Sequence, residues 1–230
     1  MKESIQDTAV LIFANSASRD AIAKNMLAKA ALFDAMTLQT LKVVKATGLP
    51  YFHFTENEQQ GWTFGQRFAN AVQSVYAKGY QNIITIGNDS PQLKTWHIKK
   101  AFYELQQGKT VLGPALDGGF YLMGMNRSHF DAFSFSKLPW QRYGLRAATE
   151  KMFIGLGNAI FRLPILQDLD READIVLLSH HVNSIAGNLI KLLKSFVKRT
   201  RQAFHAPVPI LERINVGPNH NKGSPILLFH

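Results

Sequence analysis

Apolar residues in this chain are grouped in short runs that predict the strands of a buried sheet. Residues 9–14 and 83–86 are almost entirely apolar, which is typical of strands covered on both faces in a parallel sheet. Further strands are predicted at residues 51–54, 110–114, 120–125 and 159–163. We expect residues 9–14, 83–86 and 111–112 to be buried, with Asp89 and Asp117 at one common edge of the sheet.

The stretches between these strands have helical spacing. Residues 64–76 place Phe64, Phe68 and Val72 on one face, and Gly79 ends that helix. Other helices are predicted up to about residue 46, over residues 95–107 with Thr95 as the cap, near residues 144–154, and from Asp170 to about residue 204.

The alternation of strands and helices predicts an α/β fold: a three-layer domain with a mostly parallel sheet and helices on both faces. Ligands of such sheets bind at the carboxyl ends of the strands. We assign residues 1–180 to this domain and residues 181–230 to a C-terminal extension, a basic helix followed by an irregular tail rich in Pro and Gly.

Composition removes several classes of protein from consideration. The 230 residues are 46% hydrophobic and 18% charged, with no cysteine. A chain of this kind can bury a core, and it can hold no disulfide, thiolate zinc site, iron–sulfur cluster or cysteine nucleophile. No apolar run is long enough to span a membrane, and the polar N-terminal residues are not typical of a signal peptide. We expect a cytoplasmic protein, with a peripheral membrane location as the alternative.

Three loops at predicted strand ends carry carboxylates, and each has a structural and a functional interpretation. Asp89 follows the strand at residues 83–86, where it could shape a turn or bind a hard cation. Asp117 with Gly118 predicts a hairpin turn, which also leaves backbone room for a ligand. Asp168 and Asp170 precede a helix, so Asp170 could cap it, or either residue could be a second metal ligand.

Taken in order, these loops resemble a known family. The matching segments are residues 87–93 (GNDSPQL), 112–124 (LGPALDGGFYLMG), 138–140 (LPW) and 163–170 (LPILQDLD). They resemble the bacterial glycosyltransferase-A-like proteins of domain-of-unknown-function family 2064, distant relatives of the molybdenum-cofactor and 2-phospho-lactate guanylyltransferases. The resemblance covers about residues 61–174, and Gly61, Gly65 and Arg67 fit the family's segment before the central strand.

The resemblance implies a nucleotide-diphospho-sugar transferase (GT-A, Rossmann-like) fold and metal-dependent transfer from a nucleotide-activated donor, either glycosyl or nucleotidyl transfer. It implies Mg²⁺ or Mn²⁺ near Asp89 and a nucleotide or nucleotide sugar as partner. On this hypothesis Asp89 and Asp117 are the catalytic candidates. The remaining candidates are Arg19, Lys24, Arg67 and Asn88 for the nucleotide, Asp89, Asp168 and Asp170 for the metal, and Gly118, Gly119 and Trp140 for the substrate.

The first loop departs from the family pattern and supports an alternative. Its usual glycines and prolines are absent, and Met26 stands where the family has arginine, although Lys24 matches. The alternative is a degenerate member of the same fold that binds a nucleotide, a sugar or a partner protein without turnover.

Most of the net charge of +10 comes from the C-terminal extension, where residues 180–230 hold seven Lys or Arg and one acid. Ile185, Leu189 and Leu193 repeat at helical spacing between lysines, which predicts an amphipathic basic helix. Its apolar face could cover the core or pair with a second subunit in a homodimer, or the helix could dock on an anionic membrane surface. Because no aromatic-rich recognition motif accompanies these charges, we expect no nucleic-acid partner.

Overall fold

The computed structural model describes residues 7–24, 26, 29–180 and 185–205, with side chains described up to residue 198. Its strands form one six-stranded sheet. Their bounds are β1 (Thr8–Phe13), β2 (Tyr51–Phe54), β3 (Asn82–Ile86), β4 (Thr110–Pro114), β5 (Phe120–Asn126) and β6 (Ile160–Arg162).

The strand order is β2-β1-β3-β5-β4-β6. β1 pairs in parallel with β2 and β3, and β4 pairs in parallel with β6, while β5 is antiparallel to both of its neighbours. The reversal comes from the predicted hairpin, in which Ala115 N–H donates to Gly119 O at 2.9 Å and Gly118 has a φ of +93°. Because β5 reverses between β3 and β4, those two strands point the same way, and the loops after β1, β3 and β4 meet at one edge of the sheet.

Helices cover both faces of this sheet. Their bounds are α1 (Ala17–Ala23), α2 (Ala30–Lys45), α3 (Phe64–Tyr76), α4 (Thr95–Gln106), α5 (Ala132–Ser136), α6 (Leu145–Gly155), α7 (Glu172–Ser179) and α8 (Gly187–His205). The single helix expected up to residue 46 is two helices, α1 and α2. Thr95 is the first residue of α4 rather than its cap, and its hydroxyl donates to Val43 O at 3.2 Å.

The alternating residues of β1 explain why its apolar run is continuous. Val10 and Ile12 belong to a buried cluster that includes Ile98 of α4, whereas Leu11 belongs to a second cluster with Phe68 and Val72 of α3. Each face of the strand is therefore covered by a helical layer, as in the predicted three-layer α/β domain.

The apolar face of α8 packs onto the fold. Leu189 and Leu193 lie in a third buried cluster with Phe33 of α2 and Ile175 of α7, which is the core-covering interpretation of this helix. Lys191, Lys194 and Lys198 are exposed, and the predicted irregular tail from residue 206 lies outside the described residues. Among the helices that the structure describes, none has the length and apolarity needed to span a bilayer.

Candidate functional site

A cavity of about 450 Å³ opens at the sheet edge where the loops after β1, β3 and β4 meet. Its lining residues include two groups of different chemistry: carboxylates, which we call the acidic side, and aromatic rings, which we call the aromatic side. Of the residues predicted for the site, Lys24, Arg67, Asn88, Asp89, Asp117, Gly119, Trp140, Asp168 and Asp170 line this cavity. The loops chosen from the sequence therefore converge in three dimensions.

Arg19 and Gly118 are the two predicted site residues that do not line the cavity. Arg19 is exposed on the first turn of α1. The start of that helix is occupied by Glu56, whose carboxylate accepts from the backbone N–H and the hydroxyl of Ser16, both at 2.6 Å. Burial acts to raise the pKa of Glu56, but these hydrogen bonds together outweigh it and hold the pKa below its usual value.

Five aspartates line the acidic side: Asp20, Asp89, Asp117, Asp168 and Asp170. They come from α1, from the loops after β3 and β4, and from the segment between β6 and α7. The loop after β3 is tied to that segment because Leu169 N–H donates to Asp89 O at 2.9 Å.

Lys24 neutralises part of this charge. Its Nζ lies 2.8 Å from Asp170 Oδ1 and 3.5 Å from Asp89 Oδ2, and it donates to Leu169 O at 2.6 Å. Burial by itself would lower the pKa of Lys24, but the carboxylates of Asp89 and Asp170 raise it. The ammonium is therefore charged at neutral pH.

Asp170 does not cap α7, so the capping interpretation was wrong. Arg171 occupies the cap position, and Asp174 accepts from the backbone N–H groups of Asp170 and Arg171 at 3.0 and 2.8 Å. With its backbone held in this way, Asp170 directs its carboxylate to Lys24 in the cavity.

Asp168 has the most perturbed acidity among these carboxylates. Ser90 donates its hydroxyl to Asp168 Oδ1, which favours the ionised form. Desolvation nevertheless raises the pKa of Asp168 to about 8, and the neighbouring Asp89, Asp117 and Asp170 add to the effect. A buried carboxylate surrounded by other carboxylates is unfavourable in its ionised form. Either a bound proton or a nearby cation is needed to neutralise it.

Asp20 is a site residue that sequence reasoning missed. It is buried, and it accepts from Asn15 Nδ2 at 2.9 Å and from Asn88 Nδ2 at 3.2 Å. Burial raises the pKa of Asp20, and these two hydrogen bonds partly offset the rise. Asn88 also donates to Thr37 Oγ1 at 3.0 Å, so its amide is engaged in joining loops. No local motif marks Asp20, because only the tertiary contacts bring it to the cavity.

Glycines shape the two loops that carry the catalytic candidates. A Cβ on Gly87 would lie 2.9 Å from Asp89 Oδ1, and one on Gly119 would lie 3.1 Å from Asp117 Oδ1. Asp117 accepts from Gly119 N–H at 2.8 Å. It is therefore the predicted hairpin residue and also lines the cavity; its role toward a ligand stays a prediction.

The aromatic side of the cavity is formed by the rings of Phe13, Phe64, Phe68, Phe120 and Trp140. All of them except Phe120 pack against one another. The indole of Trp140 donates to Phe135 O at 2.8 Å, and a Cβ on Gly65 would lie 2.6 Å from Trp140 Cδ1. Close contact with a glycine of α3 therefore helps fix the ring of Trp140.

Polar groups accompany these rings, and sequence reasoning found only one of them. Arg67 was predicted, whereas Gln59 and Gln141 were not. Gln141 has a φ of +59°, an unusual conformation for a residue other than glycine. The sequence holds no signal for that strain.

The carboxylates partly fit a divalent metal. Asp89, Asp170 and the Leu169 carbonyl already surround one cation, the Lys24 ammonium. Within the part of the chain that the structure describes, no three Asp, Glu or His side chains are arranged to hold a metal by themselves. Mg²⁺ commonly takes one or two carboxylates and completes its shell with water and substrate phosphates, so the residues fit a metal that arrives with its substrate.

Comparison with known proteins identifies the fold. The profile of a family described as "Uncharacterized protein conserved in bacteria (DUF2064)" matches residues 19–142. A "putative nucleotide-diphospho-sugar transferase" from Desulfovibrio desulfuricans G20 is similar with a TM-score of 0.71 and 20% identity, covering 86% of this chain and 98% of that protein. The chain therefore has the nucleotide-diphospho-sugar transferase fold that the family resemblance implied.

Two further solved structures are more distantly similar. A cytidylyltransferase from Leptospira borgpetersenii serovar Hardjo-bovis (strain JB197) has a TM-score of 0.39 at 11% identity, covering 88% of this chain and 99% of its own. CMP:2-keto-3-deoxy-manno-octonic acid synthetase complexed with CTP has a TM-score of 0.39 at 9% identity, covering 75% and 96%. No curated protein shows a significant match to the sequence.

Proposed function

This chain belongs to the DUF2064 family of uncharacterised proteins conserved in bacteria, and we propose that it is a metal-dependent transferase that uses a nucleotide-activated donor. The transferred group is a glycosyl or a nucleotidyl group. The fold places a cavity at the carboxyl ends of its parallel strands, which is where α/β sheets bind their ligands.

The observation that carries this proposal is the charge of the cavity. The whole chain has a net charge of +10, yet the cavity is lined by five aspartates and, among the described residues, by two cationic side chains, Lys24 and Arg67. Because the pKa of Asp168 is raised to about 8, that carboxyl is mostly neutral at pH 7, but the other four aspartates still outnumber the two cations. A diphosphate that binds here would therefore need added positive charge. Mg²⁺ or Mn²⁺ would supply it by neutralising the phosphates of the leaving group.

The two sides of the cavity suggest separate roles. Asp89 and Asp170, with Asp168 beside them, are the residues that would hold the metal. The rings of the aromatic side, Trp140 among them, could stack on a base or a sugar, and Arg67 lines the same cavity. Asp117 is exposed at the hairpin, where it can orient the acceptor or take its proton.

A second candidate function is binding without turnover, and the first loop favours it. The carboxylate of Glu56 already occupies the Ser16 N–H and hydroxyl, and Lys24 is engaged by Asp170. Neither the Ser16 donors nor the Lys24 ammonium is therefore free to bind a phosphate. On this alternative the cavity binds a nucleotide or a sugar and releases it unchanged.

Calorimetry with nucleoside diphosphates and nucleotide sugars, each with and without Mn²⁺, tests the transferase. We expect binding that requires Mn²⁺ and is lost in Asp89→Asn, together with hydrolysis or transfer of the donor. Asp34→Asn is the matched control, because Asp34 is exposed on α2 and does not line the cavity. Binding without any turnover would favour the second candidate, and Mn²⁺-independent binding that survives Asp89→Asn would contradict the metal assignment.

A further inference from the structure

Lys24 has a coordination environment that resembles that of a bound metal ion. Its ammonium has three N–H donors, and three oxygens surround it: Leu169 O, Asp170 Oδ1 and Asp89 Oδ2. Two carboxylates and one backbone carbonyl are also the kind of ligand set that a hard divalent cation takes. The side chain is only 15% exposed, so little of the charge is screened by water.

We propose that Lys24 is a resident counter-cation of Asp89 and Asp170, and that a divalent metal binds by displacing its ammonium from these oxygens. The inference rests on the proposed function, because it assumes that the cavity takes a metal. It changes the role of Lys24, which the family resemblance made a phosphate contact. In this arrangement Lys24 is a positioning residue that competes with the metal.

The backbones of the two aspartates are held in place independently of Lys24. The backbone N–H of Asp170 donates to Asp174 in the first turn of α7. The backbone carbonyl of Asp89 accepts from Leu169 N–H. Loss of the lysine side chain should therefore leave both residues at the same sheet edge, where their carboxylates would lack a neutralising charge.

Displacement of the ammonium couples the metal to the nucleotide. A metal that arrives alone must compete with an internal cation and should bind weakly. When a diphosphate is present, the released ammonium gains an anion to pair with, so each ligand should strengthen the binding of the other. Lys24 can therefore contact a phosphate only after the metal has displaced its ammonium from Asp89 and Asp170.

A titration with Mn²⁺ alone tests the competition between Lys24 and the metal. The electron paramagnetic resonance signal of free Mn²⁺ reports how much of the ion has bound. Lys24→Met removes the charge and keeps a long apolar side chain. We expect it to bind Mn²⁺ about tenfold or more tightly than the wild type, because a positive charge next to the ion is gone. Lys29→Met is the matched control: Lys29 belongs to the same segment but pairs with Glu172 and does not line the cavity, so its affinity should equal that of the wild type.

The outcomes separate this inference from the proposed function. If the wild type takes Mn²⁺ in the presence of UDP, GDP, CDP or ADP but Lys24→Met binds Mn²⁺ alone no more tightly, the competition is wrong and the transferase proposal stands. If neither protein takes Mn²⁺ under any of these conditions, both proposals fail.

Amine labelling of the wild type gives a second measurement that does not depend on a variant folding. Acetic anhydride labelling, read at each lysine by mass spectrometry, should increase at Lys24 when Mn²⁺ is added, because the displaced ammonium becomes accessible. Labelling of Lys29 should not change. Labelling of Lys24 that stays constant or falls at saturating Mn²⁺ would overturn the proposal.

Discussion

The amide of Asn88 lies 3.2 Å from Asp20 Oδ2 and joins α1 to the loop after β3, across 68 residues of sequence. The same amide donates to Thr37 Oγ1 of α2. One buried side chain thus holds together α1, α2 and the loop after β3, and both hydrogen bonds use its amide nitrogen as the donor. Asn88 is therefore a brace between these segments, and its contact with a nucleotide stays a prediction.

Replacing Asn88 with alanine should destabilise the protein by about 1–3 kcal/mol, because Asp20 Oδ2 and Thr37 Oγ1 would each lose the hydrogen bond from Asn88. Urea unfolding at neutral pH measures this change. Asn57→Ala is the control, since Asn57 is exposed, and its free energy of unfolding should change by less than about 0.5 kcal/mol. Equal stabilities of the two variants would show that Asn88 braces nothing.

Gly87→Ala should weaken metal-dependent nucleotide binding while leaving the fold intact. The added Cβ would lie 2.9 Å from Asp89 Oδ1, so the carboxylate must move away from its position beside Lys24. Displacements of this size cost on the order of tenfold or more in well-positioned sites. Calorimetry with Mn²⁺ and a nucleotide gives the affinity. Gly155→Ala, where the Cβ would meet nothing within 4 Å, should bind like the wild type.

His97 should make the protein less stable as the pH falls through the mildly acidic range. The ring is buried and accepts from Lys94 N–H at 2.9 Å. Burial lowers the pKa of His97 from 6.5 to about 4. Below pH 6.5 the imidazole takes up a proton in the unfolded chain but not in the folded chain. The free energy of unfolding therefore falls between about pH 6.5 and pH 4. Below about pH 4 the imidazole is protonated in both states, and His97 causes no further loss of stability.

Unfolding of wild type and His97→Gln at several pH values isolates this contribution. Glutamine at this position can still accept from the Lys94 N–H, but it cannot be protonated. We expect the difference in unfolding free energy between the two proteins to change by at most about 3 kcal/mol between pH 7 and pH 4. If the unfolding free energies of the two proteins depend on pH in the same way, the loss of stability at low pH comes from groups other than His97.

Membrane docking of α8 is a proposal that its exposed lysines support. Lys191, Lys194 and Lys198 face solvent, and each basic residue near an anionic surface contributes about 1 kcal/mol. Deleting α8 would strip the cover from the cluster that contains Leu189, so substitution is the cleaner test. The protein should co-sediment with anionic but not with neutral vesicles, and replacing the three lysines with glutamine should abolish this. If the triple variant sediments like the wild type, the lysines have no such role.

The sequence by itself determined the layered α/β fold and the loops that form the cavity. Continuous apolar runs such as residues 9–14 are typical of strands covered on both faces, and the Asp117-Gly118 pair predicts the hairpin that reverses β5. These signals are local in the chain. Once the strands are placed, the topology of the sheet brings Asp89, Asp117, Asp168 and Asp170 to one edge, because the loops that follow parallel strands meet there.

The tertiary structure alone decided what the charged groups of the site do. Lys24 pairs with Asp89 and Asp170 instead of standing free for a phosphate, and Asp170 enters the cavity instead of capping α7. Asp20 reaches the cavity, whereas Arg19, one residue before it, remains in solvent. Periodicity places a residue on an element. Which partner a long or buried charged side chain meets depends on distances between segments far apart in the chain, and folding sets those distances.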